Sequence, residues 1–283
     1  MRGFFSSALP GPASLVLILL RAVAGLVLIF GFSSAASEAI AEIARQPLFV
    51  DAQAPWPAFQ ALGAVVKGGG AAVQAAPLFL VIGLALKLFA DGAASRWFAR
   101  SEAGDAEGFF RSLFRDGWGR WWSMLRVSIV AGALLVGGAF IVVAGTGALL
   151  VADGEPKTAL QNMQAGERAA VAILLWGAFV GAIATWMRGD LAARDGESAF
   201  ISLFRGIGGL ARRPFAGLIF YILAALGPTV LAGAAMIHLR AEEPTAITEG
   251  LMLSVAVAAV FAQAFFWNWT LRYAARTRVR QLS

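Results

Sequence analysis

The chain contains no cysteine and one histidine, His238. The first absence excludes disulfides, thiolate zinc sites and iron–sulfur clusters, and the second leaves no imidazole pair to share a metal. Charge is also scarce. Charged residues make up 14% of the chain, where soluble domains carry about 25%. No glycine-rich phosphate loop of the G-x-x-x-x-G-K-S/T type occurs. The glycines Gly206, Gly208 and Gly209 follow a helix start rather than a strand. No acid and base pair up on a plausible catalytic helix face. These absences nominate no catalytic residue, no cofactor and no metal ligand, and the chain does not read as an enzyme.

What remains is apolar: 59% of the residues, against about 45–50% in soluble domains. A hydrocarbon core about 30 Å thick needs about 20 apolar helical residues. Six runs approach or exceed that length: 22–39, 71–90, 127–152, 169–187, 215–239 and 251–271. Backbone groups in lipid must be satisfied within the segment, so the runs are predicted to be helices. The expected fold is all-α: a polytopic membrane protein with six transmembrane helices arranged as three hairpins. The N-terminal run with Arg2 and the small residues Ala35-Ala36 also admits a cleaved secretory signal, although Arg21 interrupts its apolar core.

The basic residues are distributed unevenly across this topology. One side receives 18 of the 23 lysines and arginines and the other 5, while the acids divide 8 to 9, leaving net charges of +10 and −4. The positive-inside rule then puts both termini in the cytoplasm, in what reads as a bacterial cytoplasmic (inner) membrane. The sequence pI of about 10.7 follows from this asymmetry and requires no nucleic acid. A face this basic favours anionic lipid headgroups.

A repeat organises the chain. Ser112-Leu113-Phe114-Arg115 recurs ninety positions later as Ser202-Leu203-Phe204-Arg205, with Asp105, Glu107 and Phe110 answered by Asp195, Glu197 and Phe200. Gly3-Phe4-Phe5 and Leu20-Arg21 form a fainter copy. Each unit ends on a small-residue and arginine marker: Ala93-Ala94-Ser95-Arg96, Ala192-Ala193-Arg194 and Ala274-Ala275-Arg276. The chain reads as a single membrane domain of three internal repeats, 1–103, 104–194 and 195–283.

Ahead of the second hairpin, Phe110, Leu113, Phe114, Trp118, Trp121, Trp122 and Leu125 form a helical stripe. Arg111, Ser112, Arg115, Asp116 and Ser123 lie on other faces. Asp105 is the expected N-cap, with Glu107 in the first turn. Such a helix is predicted to lie in the membrane interface on the cytoplasmic side. Its twin carries Phe200, Leu203, Phe204, Ile207 and Leu210, flanked by Arg205, Arg212 and Arg213, and ends at Pro214. The candidate lipid or partner contacts are therefore Phe110, Arg111, Phe114, Arg115, Trp118, Trp121, Trp122, Phe200, Phe204, Arg205, Arg212 and Arg213. They serve either to anchor the helices or to dock a membrane or cytoplasmic protein. In the first copy Pro10-Gly11-Pro12 shortens the equivalent helix. Seven tryptophans (Trp97, Trp118, Trp121, Trp122, Trp186, Trp267 and Trp269) map to the cytoplasmic boundary as an aromatic belt.

Inside the spans polar residues are few. The candidate intramembrane polar contacts are Gln74, Thr229, Gln263 and Asn268, which form interhelical hydrogen bonds or, alternatively, touch a substrate. Gly227-Pro228 is expected to kink the fifth span, and Gly177 and Gly181 form a G-x-x-x-G pair for close helix approach.

The aromatic segments Phe109-Phe110-Arg111-Ser112-Leu113-Phe114-Arg115 and Ala199-Phe200-Ile201-Ser202-Leu203-Phe204-Arg205, each preceding a hairpin, give a layout that resembles a loose group of bacterial six-span families. These include the membrane domain attached to some glycerophosphodiester phosphodiesterases. The resemblance implies the hairpin architecture and carries no catalytic residue. Two functions are expected from the residues. One is a non-catalytic scaffold or accessory subunit of a membrane complex with a basic, aromatic cytoplasmic rim. The other is a transporter or permease component for an apolar or amphipathic substrate.

Overall fold

The computed structural model describes residues 11–45, 71–103, 108–151, 159–194, 198–240 and 246–282, although the side chains toward several helix ends fall outside the description. His238 and the capping candidates Asp105 and Glu107 are among the side chains not described. Every element among the described residues is a helix: α1 (Pro12–Arg45), α2 (Ala71–Ala103), α3 (Phe109–Gly119), α4 (Trp121–Val151), α5 (Ala159–Ala193), α6 (Ala199–Ala211), α7 (Pro214–Arg240) and α8 (Ala246–Leu282). Five helical stretches are long and apolar enough to cross a membrane: Pro12–Ile29, Gln74–Ser101, Trp121–Thr146, Arg168–Ala193 and Leu253–Leu282. A sixth is reached if α6 and the first part of α7 are counted as one bent span.

The helices overrun the apolar windows. A charge ends a run of hydrophobic sequence, but it does not break the i to i−4 ladder. Thus α2 continues past Ala90 to Ala103 and α5 past Met187 to Ala193. At the N-terminal end, Pro12 opens one helix that runs through Arg21 to Arg45. Proline suits a first helical turn because its missing N–H would have no partner there. The first copy's shortened helix is expected ahead of Pro10, among residues that lie outside the described ones.

The chain forms two compact units, 20–87 and 1–19 with 88–283. In the first, a Cβ on Gly83 would overlap Leu28 and one on Gly31 would overlap Phe79, so glycines bring the backbones of α1 and α2 together. In the second, α5 is the central element, packed against α4, α6, α7 and α8, and α7 also packs on α8. The close approach between α5 and α8 occurs at Gly189, where a Cβ would lie 2.8 Å from Ala274 Cβ and 3.0 Å from its carbonyl carbon. Gly177 and Gly181 do not play this part. They face different helices, at ordinary distances of 3.5 Å from Leu135 and 3.6 Å from Ala224.

Trp186 and Trp267 also depart from the belt reading, being buried at 1% and 6% exposure. Trp186 packs with Ala182, Phe220 and Ala274, its ring 5.7 Å from that of Phe220 and beneath the Arg278 guanidinium at 5.7 Å. The stack buries aromatic area, and the cation sits over the electron-rich ring face.

Candidate functional site: an arginine–aspartate hub at the end of α5

Several charged side chains gather where α5 ends. A helix C-terminus leaves carbonyls without intrahelical donors and carries partial negative charge. Two arginines from other elements answer it: Arg96 of α2 donates to the Ala192 carbonyl at 2.9 Å, and Arg120, between α3 and α4, donates to Leu191 at 3.1 Å. Burial lowers the Arg120 guanidinium below its ordinary value. Arg96 pushes in the same direction and Asp116 opposes it.

Three carboxylates lie within this assembly, all buried. Asp91 of α2 is inaccessible and meets Arg188 of α5, Nε to Oδ2 at 2.9 Å. Asp190 of α5 is also inaccessible. Its Oδ1 faces Arg278 Nε at 3.2 Å and Arg194 Nε at 3.9 Å, while its Oδ2 faces Arg205 Nη1 at 3.8 Å and accepts from Ser202 Oγ at 3.2 Å. Asp116 of α3 accepts from Ser112 Oγ at 2.9 Å and faces Arg100 at 3.3 Å and Arg115 at 3.4 Å. Carboxylates taken out of water need such partners, because an unpaired buried charge costs several kcal/mol. Arg278 Nη2 further donates to the Arg205 carbonyl at 2.9 Å, fastening α8 to α6.

The repeated Ser-Leu-Phe-Arg segments divide inward and outward at this hub. In both copies the serine and leucine are buried and the phenylalanine is exposed: Phe114 at 61% and Phe204 at 65%. Each serine hydroxyl donates to a buried aspartate, but from a different source. Ser112 uses Asp116 of its own helix, and Ser202 uses Asp190 of α5. Ninety residues after Asp116 stands Gly206, whose absent Cβ would meet Met187 Cγ at 3.3 Å and the Ile183 carbonyl at 3.4 Å. A carboxylate there would collide with α5, so the second copy takes its acid from α5 itself.

The same offset links the caps. Gly108 caps α3 with no side-chain bond, whereas Ser198 caps α6 by accepting from the Phe200 N–H at 3.2 Å. The N-cap of α3 is thus Gly108 rather than Asp105. On α3 the exposed face carries Phe110, Arg111, Phe114, Arg115 and Trp118, and at the start of α4 Trp122 is exposed and Trp121 half-buried. On α6 it carries Phe200, Ile201, Phe204 and Ile207. Arg212 is exposed, and Arg205 and Arg213 are half-buried. Neither helix buries its aromatic side; the buried residues are Ser112, Leu113, Asp116 and Gly117 on α3 and Ala199, Ser202, Leu203 and Gly206 on α6. Phe89 of α2 spans the gap to α3, with ring centroids 6.0 Å from Phe114 and 5.5 Å from Trp118.

The intramembrane polar candidates have separate fates. Gln263 Oε1 accepts from the Gly227 N–H at 3.2 Å, next to Pro228, which sits inside the continuous helix α7. Asn268 is buried at 3%, and Thr229 is exposed. Gln74 is exposed and belongs to the other compact unit.

Sequence reasoning passed over Asp91, Asp190, Arg188 and Arg278 as residues beyond the span ends. A signal was present: Asp91-Gly92-Ala93-Ala94 and Asp190-Leu191-Ala192-Ala193 place an acid two residues before the same alanine pair in successive units. The described residues are all-helical, and their long apolar helices are consistent with an integral membrane protein. Comparison with known proteins finds no matching family model, no matching curated protein and no matching solved structure. The resemblance to six-span families therefore rests on the segments around Phe110 and Phe200 alone.

Proposed function

We propose that the protein is a non-catalytic scaffold or accessory subunit of a bacterial cytoplasmic membrane complex. In this reading three hairpins cross the bilayer, both termini are cytoplasmic, and α3 and α6 lie in the inner interface. The carrying observation is the geometry of α6. It turns 109° from α7 and leaves Phe200 and Phe204 exposed while Ser202 is held by a buried aspartate. A helix that meets a spanning helix near a right angle, with aromatics outward and arginines at its flanks, suits the headgroup layer. The hub supports the scaffold reading in a second way. Its acids are engaged by arginines from several helices, an arrangement that fixes helix ends relative to one another and leaves a basic, aromatic rim around them.

The transport alternative draws on Gln263 at Gly227-Pro228, because broken helices build substrate sites in transporters. Against it, the Gln263 carbonyl is used within the bundle and Thr229 is exposed. Purification in mild detergent, with identification of co-purifying proteins, tests the choice. The scaffold reading predicts a partner recovered in constant ratio and lost on replacing Trp118, Trp121 and Trp122 with alanine. A partnerless monomer that gives saturable uptake in liposomes overturns it.

A further inference from the structure

We infer that Gly227-Pro228 is a hinge in α7 and that the Gln263 carboxamide is the latch that holds the far end of α7 against α8. The inference does not rest on the scaffold reading. Packing divides α7 at this point. Among the described residues, buried apolar side chains begin at Ala178 on α5 and at Ala259 on α8, counting toward the hub, and the farthest from the hub on α7 is Phe220. Gly227 is the last buried residue described on α7, and Pro228, Thr229 and Val230 beyond it are exposed. The half of α7 nearer the hub is fixed in the core, and the stretch just past Gly227 is not.

Three features meet at this boundary. Pro228 has no N–H, so the Ala224 carbonyl loses its ladder donor, and sharp helix bends are found at such prolines. Gly227 is conformationally permissive, and it also makes room: a Cβ there would lie 2.6 Å from Gln263 Oε1 and 3.2 Å from Gln263 Cβ. Through that opening the Gly227 N–H donates to Gln263 Oε1 at 3.2 Å, tying α7 to α8 one residue before the proline. Releasing this bond orphans no donor, because the ladder partner of the Gly227 N–H is the Leu223 carbonyl of its own helix. The latch is therefore weak and reversible, and the average strength of interhelical polar bonds in membranes corresponds to about a threefold population ratio. With the bond made, the far end of α7 stays along α8. With it released, that end swings away from the bundle.

Nitroxide distances on the full-length protein in lipid nanodiscs test the hinge, and the absence of native cysteine leaves the labels without background. Labels on Arg168→Cys with Arg240→Cys follow the ends of α5 and α7 away from the hub. Labels on Arg212→Cys with Arg280→Cys follow the hub side. Arg240 lies about 18 Å along the helix from Pro228, so a bend of about 30° moves it by roughly 9 Å. Gln263→Leu is expected to enlarge the displaced population of the first pair about threefold and to leave the second pair unchanged. Gly227→Ala has the same effect, because its methyl group displaces the carboxamide. Pro228→Ala restores the ladder bond to Ala224 and removes the displaced population, alone and combined with Gln263→Leu.

A first-pair distribution that is the same in the wild type and Gln263→Leu overturns the latch. A displaced population that survives Pro228→Ala in the Gln263→Leu background overturns the hinge. A Gln263→Leu protein in which both pairs change together has lost its packing rather than bent at one point, and that result overturns both.

Discussion

Asp91 and Arg188 provide the sharpest energetic test of the hub. Their side chains are 0% and 7% exposed and meet at 2.9 Å, linking α2 to α5. Two unit charges 4 Å apart attract by about 4 kcal/mol at an effective dielectric of 20. Taking both from water costs a comparable amount, so the net worth of the intact pair is small. Removing one partner gives a different result, because the survivor stays buried without its compensating charge. Asp91→Leu and Arg188→Met are each expected to cost about 3–5 kcal/mol, whereas the double variant returns to within about 1 kcal/mol of the wild type. Tryptophan fluorescence during titration of dodecyl sulfate into mixed micelles measures the unfolding midpoint of all four proteins. Single variants within about 0.5 kcal/mol of the wild type, a shift typical of surface changes, would refute the burial of this pair.

Further outcomes follow from the packing. Gly189→Ala forces a methyl group against Ala274 Cβ and backbone and is expected to cost about 1–3 kcal/mol. In the same assay Gly177→Ala, 3.5 Å from Leu135 Cδ1, is expected to be neutral or slightly stabilising because alanine favours helix. Gln263→Leu removes the bond to the Gly227 N–H and should cost about 0.6 kcal/mol, the average for such bonds inside membranes. Trp118→Ala with Trp122→Ala, at side chains 63% and 66% exposed, should shift the unfolding midpoint little while weakening flotation with liposomes rich in phosphatidylglycerol.

The long helices were legible because length and apolarity are local properties of the chain. The aromatic segments were legible for a similar reason: Phe110, Phe114 and Trp118 share a helical stripe, and that stripe is exposed in the structure. The hub was not legible, because its pairs join residues far apart in sequence. Asp190 draws Arg205 and Arg278 from two other helices, and Arg188 reaches back to Asp91. The apolar windows stop at Ala90 and Met187, just before these acids, so both read as loop residues although they are wholly buried within helices. Composition also misplaced Trp186. Tryptophan near a span end suits the interface, but here Phe220, Tyr273 and Arg278 surround the ring. The G-x-x-x-G spacing misled for a comparable reason, since the helix approach that matters is set by Gly189, outside any such pair.

The central claim is that α3 and α6 lie on one face of the membrane, opposite the start of α5. The chain has no cysteine, so single cysteines at the exposed positions Arg111, Arg212 and Arg168 report sidedness without background. Labelling with a membrane-impermeant maleimide in intact spheroplasts and in inverted vesicles is the most direct measurement. Cysteines at 111 and 212 should react only in inverted vesicles, and the one at 168 only in spheroplasts. If 111 and 212 label from opposite sides, the repeat, the topology and the interfacial role of both helices are contradicted together.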